Sequence, residues 1–198
     1  MARAAGGLIL SMRKGVSASL MAVAIGGALL ARDAIAQELV AFQAPHLARR
    51  PAAIADPALG RQIDAQAVAT KPSTPEDLVT FALGTTAGLL HFGLGHRTRL
   101  AFDATEREGN CVEYAELFSW TFNREHAGVD ARAWVVRSDA KVLSRVLPDR
   151  AWKDHDWVLV VARTPQGSKR LYVDPTLYDM GFGWDISRFV HGDVVLPS

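Results

Sequence analysis

Apolar side chains recur at helical spacing through residues 108 to 128 (EGNCVEYAELFSWTFNREHAG), where Ala115, Phe118 and Phe122 share one face with Leu117 and Thr121 alongside. That face belongs in a core. Asn110 is a good N-cap and Glu113 completes a capping-box pattern, so Cys111 is expected at the first helical position. Gly128 is the expected C-cap. Upstream, Ser73-Thr74-Pro75-Glu76 predicts a helix start, with Leu78, Phe81, Ala82 and Leu89 on its apolar side and an end between residues 88 and 92. Gly93 and Gly95 then predict a turn, and residues 97 to 102 a short strand or an extended lead-in to the cysteine.

Past Gly128 the period changes to two. Ala131, Ala133 and Val135 alternate with Arg132, Trp134 and Val136, which predicts a half-buried strand. Residues 139 to 153 are charged and irregular, with Pro148 as a breaker. Residues 156 to 163 (DWVLVVAR) are apolar on both faces, as a central strand is. Thr164-Pro165-Gln166-Gly167 predicts a turn, and residues 169 to 174 (KRLYVD) the returning partner, ended by Pro175. The rest of the chain reads as loops with one more short apolar piece. Residues 37 to 75 are rich in Ala and Pro without sustained periodicity and read as a linker or extended arm, with a short helix around residues 62 to 69. Such an arm is dispensable for folding. The length suits one domain, taken as residues 76 to 198.

The first 36 residues stand apart as a signal peptide. Arg13 and Lys14 close a basic region, residues 16 to 30 are apolar and small, and Ala34-Ile35-Ala36 before Gln37 is a small-x-small cleavage site. The apolar run is short for a membrane span, so an uncleaved anchor is the second reading. No cysteine adjoins the cleavage point, which argues against a lipid anchor. The expected location is periplasmic or secreted, with no stable membrane insertion after cleavage. The chain has 22 Lys+Arg and 21 Asp+Glu; the segment takes four bases and one acid, leaving 18 and 20, a formal −2. No basic patch or stripe marks a nucleic-acid binder.

Export changes the meaning of the lone cysteine. In an oxidising compartment a structural cysteine normally has a partner, and Cys111 has none within the chain. It is reactive, paired with another molecule, or buried and inert. A thiol at a helix start meets unpaired N–H groups and the positive end of the dipole, both of which favour the nucleophilic thiolate. A nucleophile needs a base, and the base an orienting group. Of the six histidines, His46 lies in the arm, His191 near the C-terminus, and His126 about four helical turns from Cys111. His91 and His96 are poorly spaced for a metal pair on one helix face. His155 stands at the entry of the central strand. Centring the hairpin turn on residues 164 to 167 pairs Arg163 with Ser168 and hence Trp157 with Asp174, so Asp174 shares a face with Trp157 and His155. Asp154 and Asp156 should point the other way. Asp174 also fits a simple strand-ending turn.

Gly109-Asn110-Cys111 at a helix start, His155-Asp156-Trp157 entering a strand, and Asp174-Pro175-Thr176 closing the next, in that order, resemble the transglutaminase-like superfamily over roughly residues 76 to 180. The resemblance implies a papain-like α+β core, with the cysteine helix packed on an antiparallel sheet that carries the His and the Asp. It implies Cys111 as nucleophile, His155 as general base then acid, and Asp174 as the orienter of the imidazole. The implied activity is a cysteine-dependent hydrolase or acyltransferase on peptide or glutamine-type amides, through a thioester and without a cofactor, with a protein or peptide as substrate. Hydrolysis is favoured over cross-linking. Calcium-requiring periplasmic members place acids on both sides of the cysteine; here the flanks are Asn110 and Val112, so no calcium or other metal is expected. The Cys111 N–H is a reasonable half of an oxyanion hole, and Glu106, Glu108 and Glu113 oppose thiolate formation. The rival readings are a non-catalytic binding domain with the same fold and a secreted structural domain with a buried thiol.

Overall fold

The computed structural model describes residues 40–54, 56–93, 108–126, 128–142 and 154–197. The predicted signal segment, the lead-in expected at residues 97 to 102 and most of the irregular stretch after residue 142 lie outside these. The described elements run β1 (Val40–Arg49), α1 (Pro57–Thr70), α2 (Pro75–Leu89), β2 (His91–Phe92), β3 (Glu108–Gly109), α3 (Cys111–Arg124), β4 (Ala131–Val142), β5 (Asp154–Thr164), β6 (Gly167–Val173) and α4 (Pro175–Asp179), with a 3-10 turn at Ser187–Phe189. At this level the chain is α+β. Four strands form one antiparallel sheet in the order β1-β4-β5-β6, and β2 and β3 make a short parallel pair beside the start of α3.

Local signals account for most of these boundaries. Thr74 caps α2 in a capping box with Asp77, and Pro75 occupies the first turn, where its missing N–H costs nothing. Asn110 and Glu113 close the same kind of box at α3, with Asn110 N–H on Glu113 at 3.0 Å and Val112 N–H on Asn110 at 2.9 Å. Gly109 sits in a tight place: a Cβ there would stand 3.1 Å from the Cβ of Glu113, which would have to give by a few tenths of an ångström. The β5–β6 hairpin turns through Pro165 and Gln166, pairing Arg163 with Ser168 as the sequence predicts. Gly128 sits in the turn after α3 at φ +87° rather than capping it; Glu125 is the C-cap.

One face of the sheet packs on the helices. Ala131, Ala133, Val135, Val158, Val160, Ala162 and Val173 meet Ala115, Phe118 and Phe122 of α3 and Leu78, Val79, Ala82 and Leu83 of α2. The other side of α3, with Tyr114 and Leu117, meets Leu59 and Ile63 of α1. The second face of the sheet is buried too, which departs from the half-buried strand expected at β4: Trp134 is 7% exposed and Val136, Trp157 and Leu159 are 0%. The C-terminal segment bonds one sheet edge through Ile186 N–H on the Tyr172 carbonyl and then the other through His191 N–H on the Phe42 carbonyl. Between those bonds it carries the buried Ile186 and Phe189.

Residues 40 to 70, expected as a linker or arm with a short helix at 62 to 69, instead supply an edge strand and a 14-residue helix that takes in the expected one. Phe42 and Ile63 are both 0% exposed. The apolar signal in β1 is weak because a bulge between Gln43 and Leu47 breaks its alternation. Where β1 ends, opposite Val135, the side-chain amide of Asn123 takes its place: it donates to the Ala133 carbonyl at 2.9 Å and accepts from the Ala133 N–H at 2.8 Å.

Deleting residues 37 to 70 should therefore abolish cooperative unfolding in urea, reversing the expectation from composition. Phe42→Ala should lower stability by about 3–5 kcal/mol, the usual cost of emptying a buried aromatic site. A truncated chain with a sharp, wild-type-like transition would show that β1 and α1 contribute nothing to the core.

Candidate active site

Cys111 is the first residue of α3 and is partly exposed, whereas His155 and Asp174 are 1% and 0% exposed. His155 is the second residue of β5, and Asp174 directly follows β6, one position beyond the last paired residues, Val158 and Val173. Strand alternation puts His155 with Trp157, and the ring of Phe42 covers both, at centroid distances of 5.3 and 6.5 Å. Opposite them on β4, Ser138 accepts the Trp157 indole N–H at 2.7 Å. The imidazole thus sits in a packed slot with little rotational freedom.

Asp174 does two things at once. Its Oδ1 caps α4, accepting the N–H groups of Thr176 at 2.9 Å and Leu177 at 3.0 Å. Its Oδ2 lies 2.6 Å from Nε2 of His155. The strand-ending turn and the imidazole partner are therefore one residue with two oxygens. Cys111 acts on the same imidazole through its charge and a side-chain hydrogen bond. With Nε2 committed to the carboxylate, Nδ1 is the ring nitrogen left for the sulfur. Burial pulls the imidazole pKa down, but the charges of Asp174 and Cys111, with their hydrogen bonds, outweigh it and hold it well above the usual 6.5.

Asp156 points the other way, as alternation requires. Arg137 donates to it at 2.6 and 3.2 Å, and Arg49 at 2.9 Å. Arg49 also bonds Glu116 of α3 at 2.6 Å, where the Ala52 N–H completes the carboxylate at 2.6 Å. Burial raises the pKa of Glu116 against the Ala52 N–H and the Arg49 charge. Asp154 is exposed. Glu113, expected to oppose the thiolate, is spent on the helix cap, and Glu106 lies outside the described residues.

The sequence reading did not single out Arg49, Arg137, Phe42 or Tyr114. Only Arg137 and Asp156 carried a usable signal, as charged residues at core-facing positions of apolar strands. Tyr114 donates its hydroxyl to Asp179 at 2.6 Å, tying the first turn of α3 to the end of α4. Of the other histidines, His126 bonds the Asn123 carbonyl, His46 is exposed on β1, and His96 lies outside the described residues. His46, Asp139 and Asp154 form a group whose donor atoms lie within 4.8 Å of one another, all three exposed, and they are the described residues that could together hold a metal ion. No helix among the described residues is long and apolar enough to cross a membrane. Comparison of the chain with protein-family models, curated proteins and solved structures returned no match.

Asp174→Asn preserves the cap, because an amide oxygen replaces Oδ1, but presents an NH₂ or no charge to Nε2. The imidazole pKa, followed by NMR of its ring protons, should fall. Asp174→Ala removes the cap as well, costing about 1 kcal/mol more for the cap alone. The raised pKa in the folded state means that the charged imidazole's contribution to stability is full below about pH 6.5 and is lost as pH rises through the folded value. The stability gap between wild type and Asp174→Asn should accordingly be widest below pH 6.5 and narrow above it. An Asp174→Asn stability equal to wild type at every pH, with only Asp174→Ala destabilised, would assign Asp174 to capping only.

Proposed function

We propose that the protein is an exported cysteine-dependent hydrolase or acyltransferase of the transglutaminase-like type. It acts on amide bonds of peptides or glutamine-type side chains through a thioester, with hydrolysis favoured. In this reading Cys111 is the nucleophile, His155 the base and then the acid, and Asp174 the orienter. The observation that carries it is the contact chain from a partly exposed thiol at a helix start, through a buried imidazole, to a buried carboxylate. A papain-like core is supported by the cysteine helix packing on an antiparallel sheet whose adjacent strands bring His155 and Asp174 together. Export to the periplasm or beyond is supported by the basic, apolar and small-x-small pattern of residues 1 to 36.

The chemistry follows from the proton positions. A raised imidazole pKa favours an imidazolium beside the sulfur, leaving the thiolate to attack the amide carbonyl. The Cys111 N–H, free of a helical partner at this position, is placed to receive the developing oxyanion. Nδ1 of His155 gives its proton to the departing amine, and the thioester remains on Cys111. The neutral imidazole then takes a proton from water, whose oxygen attacks the thioester; the acid leaves and the thiolate–imidazolium pair is restored. Throughout, Asp174 holds Nε2 and stabilises the positive ring.

The test pairs a panel of fluorogenic peptide amides and esters with alkylation by iodoacetamide. Cys111→Ser should keep the fold and lose turnover by on the order of 10³-fold or more. His155→Ala should slow both turnover and alkylation of the folded protein at neutral pH. Rapid, His155-dependent alkylation without hydrolysis of any substrate would favour the binding-domain reading. Alkylation that waits for denaturant and ignores His155 would reduce Cys111 to a packed core thiol.

A further inference from the structure

On the strand that pairs with His155 stands a cation that this chemistry does not use. Arg137 lies directly opposite Asp156 in the β4–β5 ladder, one residue before Ser138, the partner of His155. Its guanidinium meets Asp156 side-on, with Nε on Oδ1 at 2.6 Å and Nη2 on Oδ2 at 3.2 Å. That uses one edge of a planar group that has several. The end-on fork, made of Nη1 and the second proton of Nη2, has no acceptor among the described residues. Asp156 does not depend on Arg137 alone, because Arg49 also donates to it, at 2.9 Å.

Burial separates the two arginines from the carboxylate they share. Asp156 is 0% exposed, whereas the Arg137 side chain is 29% exposed, so one edge is anchored inside and the rest reaches solvent. The negative groups that act on it include Asp156, Asp154 and Cys111. The guanidinium is therefore fixed on a buried carboxylate that Arg49 also ties to Glu116, five residues along α3 from Cys111, with a two-pronged donor left over.

We propose that Arg137 is a specificity-determining residue whose end-on fork takes a carboxylate of the substrate beside the amide attacked by Cys111. The substrate class is then an anionic peptide, its carboxylate coming from an Asp or Glu side chain or from a free α-carboxylate. This rests on the reading of Cys111 as the nucleophile, and it refines that reading by naming what the site selects.

The experiment needs no turnover. Wild type, Arg137→Gln and Arg137→Lys are alkylated with iodoacetate and iodoacetamide, and the readout is the ratio of the two rates against that of free cysteine. In wild type the anionic reagent should be favoured, and the ratio should fall by up to roughly fivefold in Arg137→Gln, the size of one solvent-exposed charge pair. Arg137→Lys, which keeps the charge without the fork, should retain part of it. High salt should erode the wild-type ratio, a measurement that stands even if a variant does not fold. Two reagent pairs then separate the carboxylate sources: iodoacetyl-Glu-amide against iodoacetyl-Gln-amide, and iodoacetyl-Gly with a free or an amidated C-terminus. An Arg137-dependent preference in either pair supports the proposal and names the source. Equal ratios in wild type and Arg137→Gln, or both rates falling alike because the cation acts only on the thiolate, would overturn it. If the Arg137-dependent preference holds while no amide is hydrolysed, the carboxylate site stands and the hydrolase reading falls. Hydrolysis without the preference means the reverse.

Discussion

From Val112 to Ser119 every side chain of α3 is buried, so the helix has no wet side on which to leave a polar group. A helix buried all round looks to its neighbours for polar partners, because an unpaired buried group costs kilocalories; the hydroxyls of Ser119 and Thr121 find none among the described residues, but the larger polar side chains do. The partners it finds are spread over its neighbours. Glu113 closes the helix start, Tyr114 reaches Asp179 after β6, and Glu116 draws in Arg49 of β1 and the Ala52 N–H. Asn123 stands in for the missing strand beside Ala133. Each bond fixes a different element against the helix, and the position of Cys111 is the outcome of all of them.

The start of β5 extends this arrangement to the imidazole. Adjacent residues on a strand look to opposite faces, and here both directions are used. His155 turns toward Phe42 and Asp174, while Asp156 turns toward Arg49 and Arg137. Two buried carboxylates, Asp156 and Asp174, therefore flank the site from separate faces, each saturated by its own partners. Removing Asp174 would leave a fully buried imidazole without its counter-charge, whereas the arginines on Asp156 keep part of their side chains in solvent. The site is rigid for the same reason that it is costly to disturb.

Asp174 illustrates how little extra structure such a site requires. A carboxylate is already useful at the end of β6, because α4 begins there and needs its first N–H groups satisfied. The second oxygen is then fixed in space at no further conformational cost, and it falls on Nε2 of His155. The turn and the imidazole partner are the same feature, so a capping role and a chemical role are not competing explanations for this residue.

Much of this was written in local pattern. The helical spacing of Ala115, Phe118 and Phe122, the Asn110–Glu113 cap, the helix opening at Thr74, and the hairpin register that aligns Trp157 with Asp174 all depend on residues a few positions apart. Periodicity and turn chemistry report such relations directly. Phe42 and Arg49 were not legible in this way. Phe42 belongs to a strand whose alternation is broken by a bulge, and it is called into the core only when β4 lies beside it. The burial of the second sheet face depended on a C-terminal segment bonded to both edges of the sheet. Arg49 could be matched to Glu116 and Asp156, 67 and 107 positions away, only after folding had removed water from both carboxylates. The sequence by itself determined the helices and strands from Pro75 to Asp174 and most of the residues that begin them, because those are short-range balances of backbone hydrogen bonding and apolar spacing. Tertiary structure alone decided which charges meet, because an ion pair is chosen by what remains nearby once solvent is excluded.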